Sequence, residues 1–200
     1  MWDAVYDVSD YVYGEQPNDF LRGHVDVLPK GKVLCLADGE GRNSVFLAEL
    51  GYDVTAVDIS RVAIEKAKQL AREHQVDIEF IHADLSEFEL GVNRWDAIVS
   101  IFCHLPAELR GPVHEKVVQA LKPGGIFLAE SYTPKQLEFK TGGPPRADMM
   151  HSEQVVSEEL SELHFVLLEE KERHIQEGTK HNGRSHVVQV IARKNLANTD

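Results

Sequence analysis

Two hundred residues, 42% hydrophobic and 27% charged with a formal net charge of −12, suit one domain that buries about 70% of its unfolded surface without metal or disulfide staples. The acidic balance and the lack of a Lys/Arg cluster exclude a nucleic-acid partner, which needs a basic stripe to neutralise phosphates, and no apolar run is long enough to span a membrane. Cys35 and Cys103 lack paired spacing, which excludes a disulfide framework and a zinc site.

The chain opens on Met1-Trp2-Asp3-Ala4-Val5-Tyr6-Asp7, aromatic and acidic, unlike a signal or transit peptide, so a cytoplasmic location is expected. Trp2, Tyr6, Tyr11 and Tyr13 precede Gly14 and Pro17-Asn18 at irregular spacing; they form either an ordinary amino-terminal helix or a lid over a ligand. Residues 18–28 place Phe20, Leu21, His24, Val25 and Leu28 on one helical face, ended by Pro29-Lys30-Gly31.

The apolar run from Lys32 to Ala37 then meets a glycine-bearing turn, Asp38-Gly39-Glu40-Gly41-Arg42-Asn43, and a helical segment from Ser44 to Leu50. This strand, turn and helix start is how an α/β sheet offers backbone amides to a ligand at its carboxyl edge. Without Cβ atoms, Gly39 and Gly41 would let a flat, nucleotide-like ligand lie against the backbone; the alternative is a tight turn with no ligand. Asp58 closes a second run, Val54 to Val57, where a carboxylate can accept from both hydroxyls of a ribose. Ser60 is suited to cap a helix with Ala63, Ala67, Leu70 and Ala71 on its inner stripe.

A third strand, Ile78 to Ala83, delivers Asp84 to the same edge, either to accept from an adenine amino group or to cap Ser86-Glu87. The fourth strand, Ala97 to Phe102, ends in Ile101-Phe102-Cys103-His104, where Cys103 is either a functional thiol or a small buried hydrophobe. A helix from Pro106 to Leu121 and a strand from Ile126 to Glu130 follow. Residues 132–156 lose all pattern, as a functional loop or a disordered one. A short helix over 157–163 leads to strands 164–173 and 185–193, joined by Gly178-Thr179-Lys180-His181-Asn182-Gly183, whose Asn-Gly is a turn signal. The last strand is apolar on both faces, so it belongs inside the sheet. Residues 195–200 are expected to fray.

The series Val33 to Gly41, Asp58, Ala83-Asp84-Leu85, Trp95 to Ser100 and Leu121-Lys122-Pro123-Gly124-Gly125 resembles the class I S-adenosylmethionine-dependent methyltransferases. Gly41-Arg42-Asn43 with Val45 to Ala48, and Tyr13 to Asn18, are similar to the tellurite-resistance and thiopurine methyltransferase branch. The resemblance implies a Rossmann-like, seven-stranded, doubly wound α/β sheet, mostly parallel with an antiparallel carboxyl-terminal hairpin strand. It also implies a single domain over 1–200, with a lid or helix over 1–28, a cofactor core over 30–131, a substrate-side loop over 132–156, and a helix and hairpin over 157–194.

By the same resemblance Tyr13, Ala37, Asp38, Gly39, Gly41, Arg42, Asn43, Asp58, Ile59, Asp84, Leu85, Ser100 and Ile101 bind S-adenosyl-L-methionine, whose product is S-adenosyl-L-homocysteine. The acceptor is then a small molecule, a thiol or a tellurite- or selenite-type oxyanion, served by His174, His181 and Arg184 of the hairpin, with no metal, in a monomer or homodimer. Arg184 and His186, two apart on a strand, share a face. Two positions depart from the family, which usually has an acid at Cys35 and a glycine at Ala37; the acid helps hold the loop or the methionine end of the cofactor. Two rival readings are a non-catalytic cofactor-binding protein and a nicotinamide-dependent oxidoreductase, though the latter's fingerprint wants a third glycine at Ser44.

Overall fold

A computed structural model describes residues 1–196. Strands β1 Lys32–Leu36, β2 Asp53–Asp58, β3 Glu79–His82, β4 Trp95–Ile101, β5 Leu121–Tyr132, β6 Leu163–Glu177 and β7 His181–Lys194 form one sheet in the order β3-β2-β1-β4-β5-β7-β6. The first five run parallel, and β7 lies antiparallel between β5 and β6, which is the Rossmann-like arrangement that the sequence implies. Helices α1 Trp2–Tyr6, α2 Asp19–His24, α3 Arg42–Glu49, α4 Arg61–Glu73, α5 Ala107–Ala120 and α6 Glu153–Glu159 flank it.

The inner strands are apolar on both sides because both faces are covered. One face packs Leu34, Leu36, Ile98, Phe127 and Val190 against Val113 and Val117 of α5 and Val156 of α6. The other packs Val33, Val54, Val99 and Leu128 against Phe20 and Leu21 of α2 and Leu47 of α3. Helix starts follow side-chain chemistry: Asn18 accepts from the Leu21 amide, Ser60 from Ala63 and Ser152 from Val155. The Ser152 cap starts α6 at Glu153, four residues ahead of the expected position.

The hairpin turn is also displaced from its expected place. Asn182 and Gly183 lie within β7, paired with Gln176 and Ile175, and the chain reverses at Gly178-Thr179-Lys180. Docking decides this: the Thr179 amide donates to the Val12 carbonyl at 2.9 Å, and a Cβ on Gly178 would lie 2.2 Å from that same oxygen. The amino-terminal segment thus rests on the hairpin. Residues 133–152 are an ordered loop with 3-10 turns at Pro134–Glu138 and Ala147–Met149, tied to β7 by Gln136 and Thr141. Residues 197–200 of the expected frayed tail lie outside the described residues. Among the described residues no helix is long and apolar enough to cross a membrane.

Candidate active site

The chain winds outward from β1 to β2 on one side and to β4 on the other, so a crevice opens at the carboxyl ends of these strands. Leu36 is in register with Val57 and with Ser100, which brings Ala37, Asp58 and Ile101 out side by side. Asp58 is oriented by backbone: Oδ2 accepts from the Gly39 amide and Oδ1 from the Ser60 amide, both at 2.8 Å. Burial raises its pKa, against the backbone amides of Ser60, Gly39 and Ile59 that favour the charged form. A carboxylate held this way keeps lone pairs for two hydroxyls. Asp38 accepts from Ser44 Oγ at 2.5 Å, and burial pushes it up to about 6. Asp84 Oδ1 accepts from both the amide and the hydroxyl of Ser86, which hold it below the usual carboxylate range. Exposed Ile59 and buried Leu85 give the crevice apolar surface.

Other residues implied for the cofactor serve the protein itself. A Cβ on Gly41 would fall 2.8 Å from the Ala67 methyl of α4, and one on Gly39 would fall 2.9 Å from the Tyr6 hydroxyl. A side chain at either position would therefore collide with α4 or with Tyr6. Arg42 spends its guanidinium on Glu177 at 2.6 Å and on the Gln16 carbonyl, and Asn43 Oδ1 accepts from the Asn18 amide. The Ser100 side chain lines a small internal cavity with His114 and His151, and Ile101 packs in the core. Cys35 is buried in β1. Buried Cys103 has its thiol pushed up to about 12 by desolvation and is inert as a nucleophile. Asp38, Asp58, Ile59, Asp84 and Leu85 stand just at or beyond the carboxyl ends of β1, β2 and β3.

Beside the β4 tip packs a cluster of rings. Phe102, in the left-handed region at φ +53, stacks on Tyr132 at 4.7 Å between centroids and meets the edge of His181 at 4.5 Å. Tyr13 lies 4.5 Å from His181, and His104 stacks on Tyr132 at 5.5 Å. The Tyr132 amide donates to His104 Nε2 at 3.0 Å, so that nitrogen carries no proton, and burial lowers the imidazole to about 4. Burial together with Arg42, His104 and Arg173 also keeps His181 neutral. Among the described residues, Tyr132 Oη and His181 Nδ1 are buried with no hydrogen-bond partner. The backbone of Gly142-Gly143 lies on the Tyr132 ring, where a Cβ on either glycine would fall 2.8 Å from a Tyr132 atom.

Of the three hairpin residues expected to act together, the structure pairs His174 with Arg184 and sets His181 apart from them. Strand alternation puts His181 on the face of the ring cluster and Arg184 on the other. Arg184 is exposed, ion-paired to Glu172 and opposite exposed His174. His186, the partner expected for Arg184, is buried against Thr133 Oγ1 at 2.6 Å. Phe102, His104 and Tyr132 were not among the expected site residues. Their signal was an aromatic or imidazole at the end of each of two strands. Among the described residues no group of His, Cys, Asp and Glu has metal-holding geometry.

Residues 33–125 match a family model described as a methyltransferase domain. The ribosomal protein L11 methyltransferase of Dictyoglomus turgidum is 30% identical over 161 residues, 80% of this chain and 44% of that relative. The chain spans less than half the length of the curated relatives it matches. A structure solved in work on the conversion of a disulfide bond into a thioacetal group during echinomycin biosynthesis superposes with TM-score 0.79 at 19% identity, over 99% of this chain and 92% of that one. Magnesium protoporphyrin IX methyltransferase (ChlM) from Synechocystis PCC 6803, with bound SAH, gives TM-score 0.65 at 19% identity, over 88% and 78%. At these identities the two structures establish the fold alone.

Proposed function

We propose that this chain, whose residues 33–125 match a methyltransferase domain model, is a class I S-adenosylmethionine-dependent methyltransferase and methylates a small-molecule acceptor held beside the ring cluster. The residues at the crevice fit the cofactor. Asp58 would hold the ribose hydroxyls, Asp84 the adenine amino group, Ile59 and Leu85 the adenine faces, and Asp38 the amino end of the methionine moiety left without an acid at Cys35. When bound, S-adenosylmethionine supplies an electrophilic sulfonium methyl group and leaves as S-adenosylhomocysteine.

The chain's own work is to orient the acceptor and exclude water, which can supply up to roughly 7–11 kcal/mol of the barrier. Phe102, Tyr132 and Tyr13 exclude water from three sides. His104 is committed to the Tyr132 amide, which leaves His181 Nδ1 and Tyr132 Oη, buried and without partners among the described residues, as the atoms placed to hydrogen-bond the acceptor. These buried, unpartnered polar atoms among the rings beside the β4 tip are the observation that carries the reading. It favours a soft nucleophile, a thiol or a chalcogen oxyanion as in the tellurite-resistance and thiopurine branch, within a single domain over 1–200.

Calorimetry with S-adenosylhomocysteine, followed by labelled-methyl transfer to thiols, selenite, tellurite and small amines, tests it. Binding without a methylated product from any of them leaves only a cofactor-binding protein; no binding removes the methyltransferase reading.

A further inference from the structure

Alternate residues of the sheet face α5 and α6, and where Ser100 of β4 and Ser131 of β5 interrupt the apolar pattern they line an internal cavity. His114 of α5 and His151, just ahead of α6, complete its polar side, and Phe127 and Val190 supply apolar wall. All of these side chains are buried. Ser131 Oγ and His151 Nε2 have no hydrogen-bond partner among the described residues, and a buried polar atom left so is costly.

Size and charge limit what can satisfy them. The cavity leaves about 10 Å³ for the centre of a water-sized sphere, and one water molecule needs roughly 10–15 Å³, so nothing larger fits. A cation would meet no free carboxylate, because Glu159 is shared between Arg110 and His114. An anion would meet no free cation, because Arg110 also donates to the carbonyls of Asp148 and Met150. His151 stays neutral, held well below the ordinary imidazole range by burial, His104, His114 and Arg110. A water molecule both donates and accepts, as do a hydroxyl and a neutral imidazole.

We propose that this cavity is a site for one water molecule, which hydrogen-bonds Ser131 Oγ and His151 Nε2 and so anchors the carboxyl end of the 133–152 loop. The His151 amide donates to the Tyr132 carbonyl at 3.0 Å, and Met150 before it packs with Tyr132, Ile175 and Val187. The same loop lays Gly142-Gly143 on the Tyr132 ring. The water therefore acts on the position of the loop over the ring cluster, whichever molecule is methylated there.

A crystal structure of the full chain at neutral pH, at a resolution that shows ordered water, tests the site. One density peak within hydrogen-bond distance of both Ser131 Oγ and His151 Nε2 is expected. No peak there, or the two side chains in direct contact, would overturn the proposal. Amide hydrogen exchange tests the anchoring. In Ser131→Ala the Met150 and His151 amides should exchange at least tenfold faster than in the wild type, beyond any change at Val33 and Val54 in the strands. The same change at all four amides, or none at Met150 and His151, would show that the water does not hold the loop. If Ser131→Ala does not fold, His151→Phe, which removes the nitrogen and keeps a ring, is read by the same amides.

Discussion

The Arg42 guanidinium lies 2.6 Å from the Glu177 carboxylate, both side chains are buried, and the pair ties the glycine turn to the end of β6. Removing one partner leaves a buried charge uncompensated, which costs about 3–5 kcal/mol. Arg42→Ala should therefore lose that much stability in urea unfolding, and Arg42→Ala with Glu177→Ala should lose less than the two single changes added together. A loss below about 1 kcal/mol, the range of exposed pairs, would show that water reaches this one.

A second expectation concerns pH. His104 titrates near 6.5 when unfolded and near 4 when folded, because burial disfavours its charged form. Between these values the unfolded chain binds the proton and the folded one does not, so its contribution to stability is complete above pH 6.5 and is lost as pH falls toward 4. A shift of this size corresponds to about 3 kcal/mol, an upper bound because the ring is only half-buried by area. Asp38, raised to about 6, acts with the opposite sign over much of the same range. The difference between wild type and His104→Gln cancels that term: the wild-type advantage in chemical denaturation should shrink as pH drops from 6.5 to 4. A constant gap would mean that His104 titrates normally.

The third prediction is at Ala37, which sits at φ +48 where the family resemblance implies glycine. The left-handed conformation costs an L-residue roughly 1–2 kcal/mol, while glycine gives back about 0.4–1 kcal/mol through the freer unfolded chain. Ala37→Gly should thus leave stability unchanged or raise it by up to about 1 kcal/mol, and Ala37→Val should lower it, since branching at Cβ fits positive φ poorly. Thermal unfolding of the two variants gives the order; Val above Gly would contradict it.

The first five strands, the helix stripes and the Ser60 cap were legible because each rests on local periodicity or on one side chain next to its own helix, while the seven-stranded arrangement came from the resemblance. The acceptor side was not. Glu130 lies within the apolar run Ile126 to Ser131, and nothing nearby in the chain announces its partners, Arg173, Asn18 and Gln189. Asn182-Gly183 carries a good turn signal, yet the turn forms at Gly178, where the amino-terminal segment docks. Arg184 and His181 look like neighbours in sequence, but their odd separation puts them on opposite faces once β7 is seen to begin at His181.

The fourth prediction is at Asp58. Its backbone partners, Gly39 and Ser60, would keep one acceptor oxygen in Asp58→Asn, so the fold should survive while a charge-assisted bond to the ribose is lost. Calorimetry with S-adenosylhomocysteine should show affinity weakened by about 1.5–3 kcal/mol. Equal heats and affinities in the two proteins would remove Asp58 from the cofactor site.

The last prediction uses the glycine pair over Tyr132. A Cβ on Gly142 would lie 2.8 Å from Tyr132 Oη and from the Lys180 carbonyl, and 3.2 Å from His181 Cδ2, at a backbone φ of +148 that side chains rarely adopt. Gly142→Ala must therefore push Tyr132 and His181 out of place or lift the loop, and a displacement of about 1 Å at a reacting centre can cost on the order of 100-fold in rate. The expected outcome is a fall of that order in kcat/KM with any acceptor that the wild type methylates, with cofactor affinity unchanged, because Asp58 and the glycine turn lie on other elements. Gly23→Ala in α2 is the control: its Cβ meets nothing within 4 Å, and alanine in a helix should stabilise the protein by about 0.5–1 kcal/mol. If Gly142→Ala turned over every acceptor as fast as Gly23→Ala, the loop would be mere cover, and His181 would not be the residue that meets the acceptor.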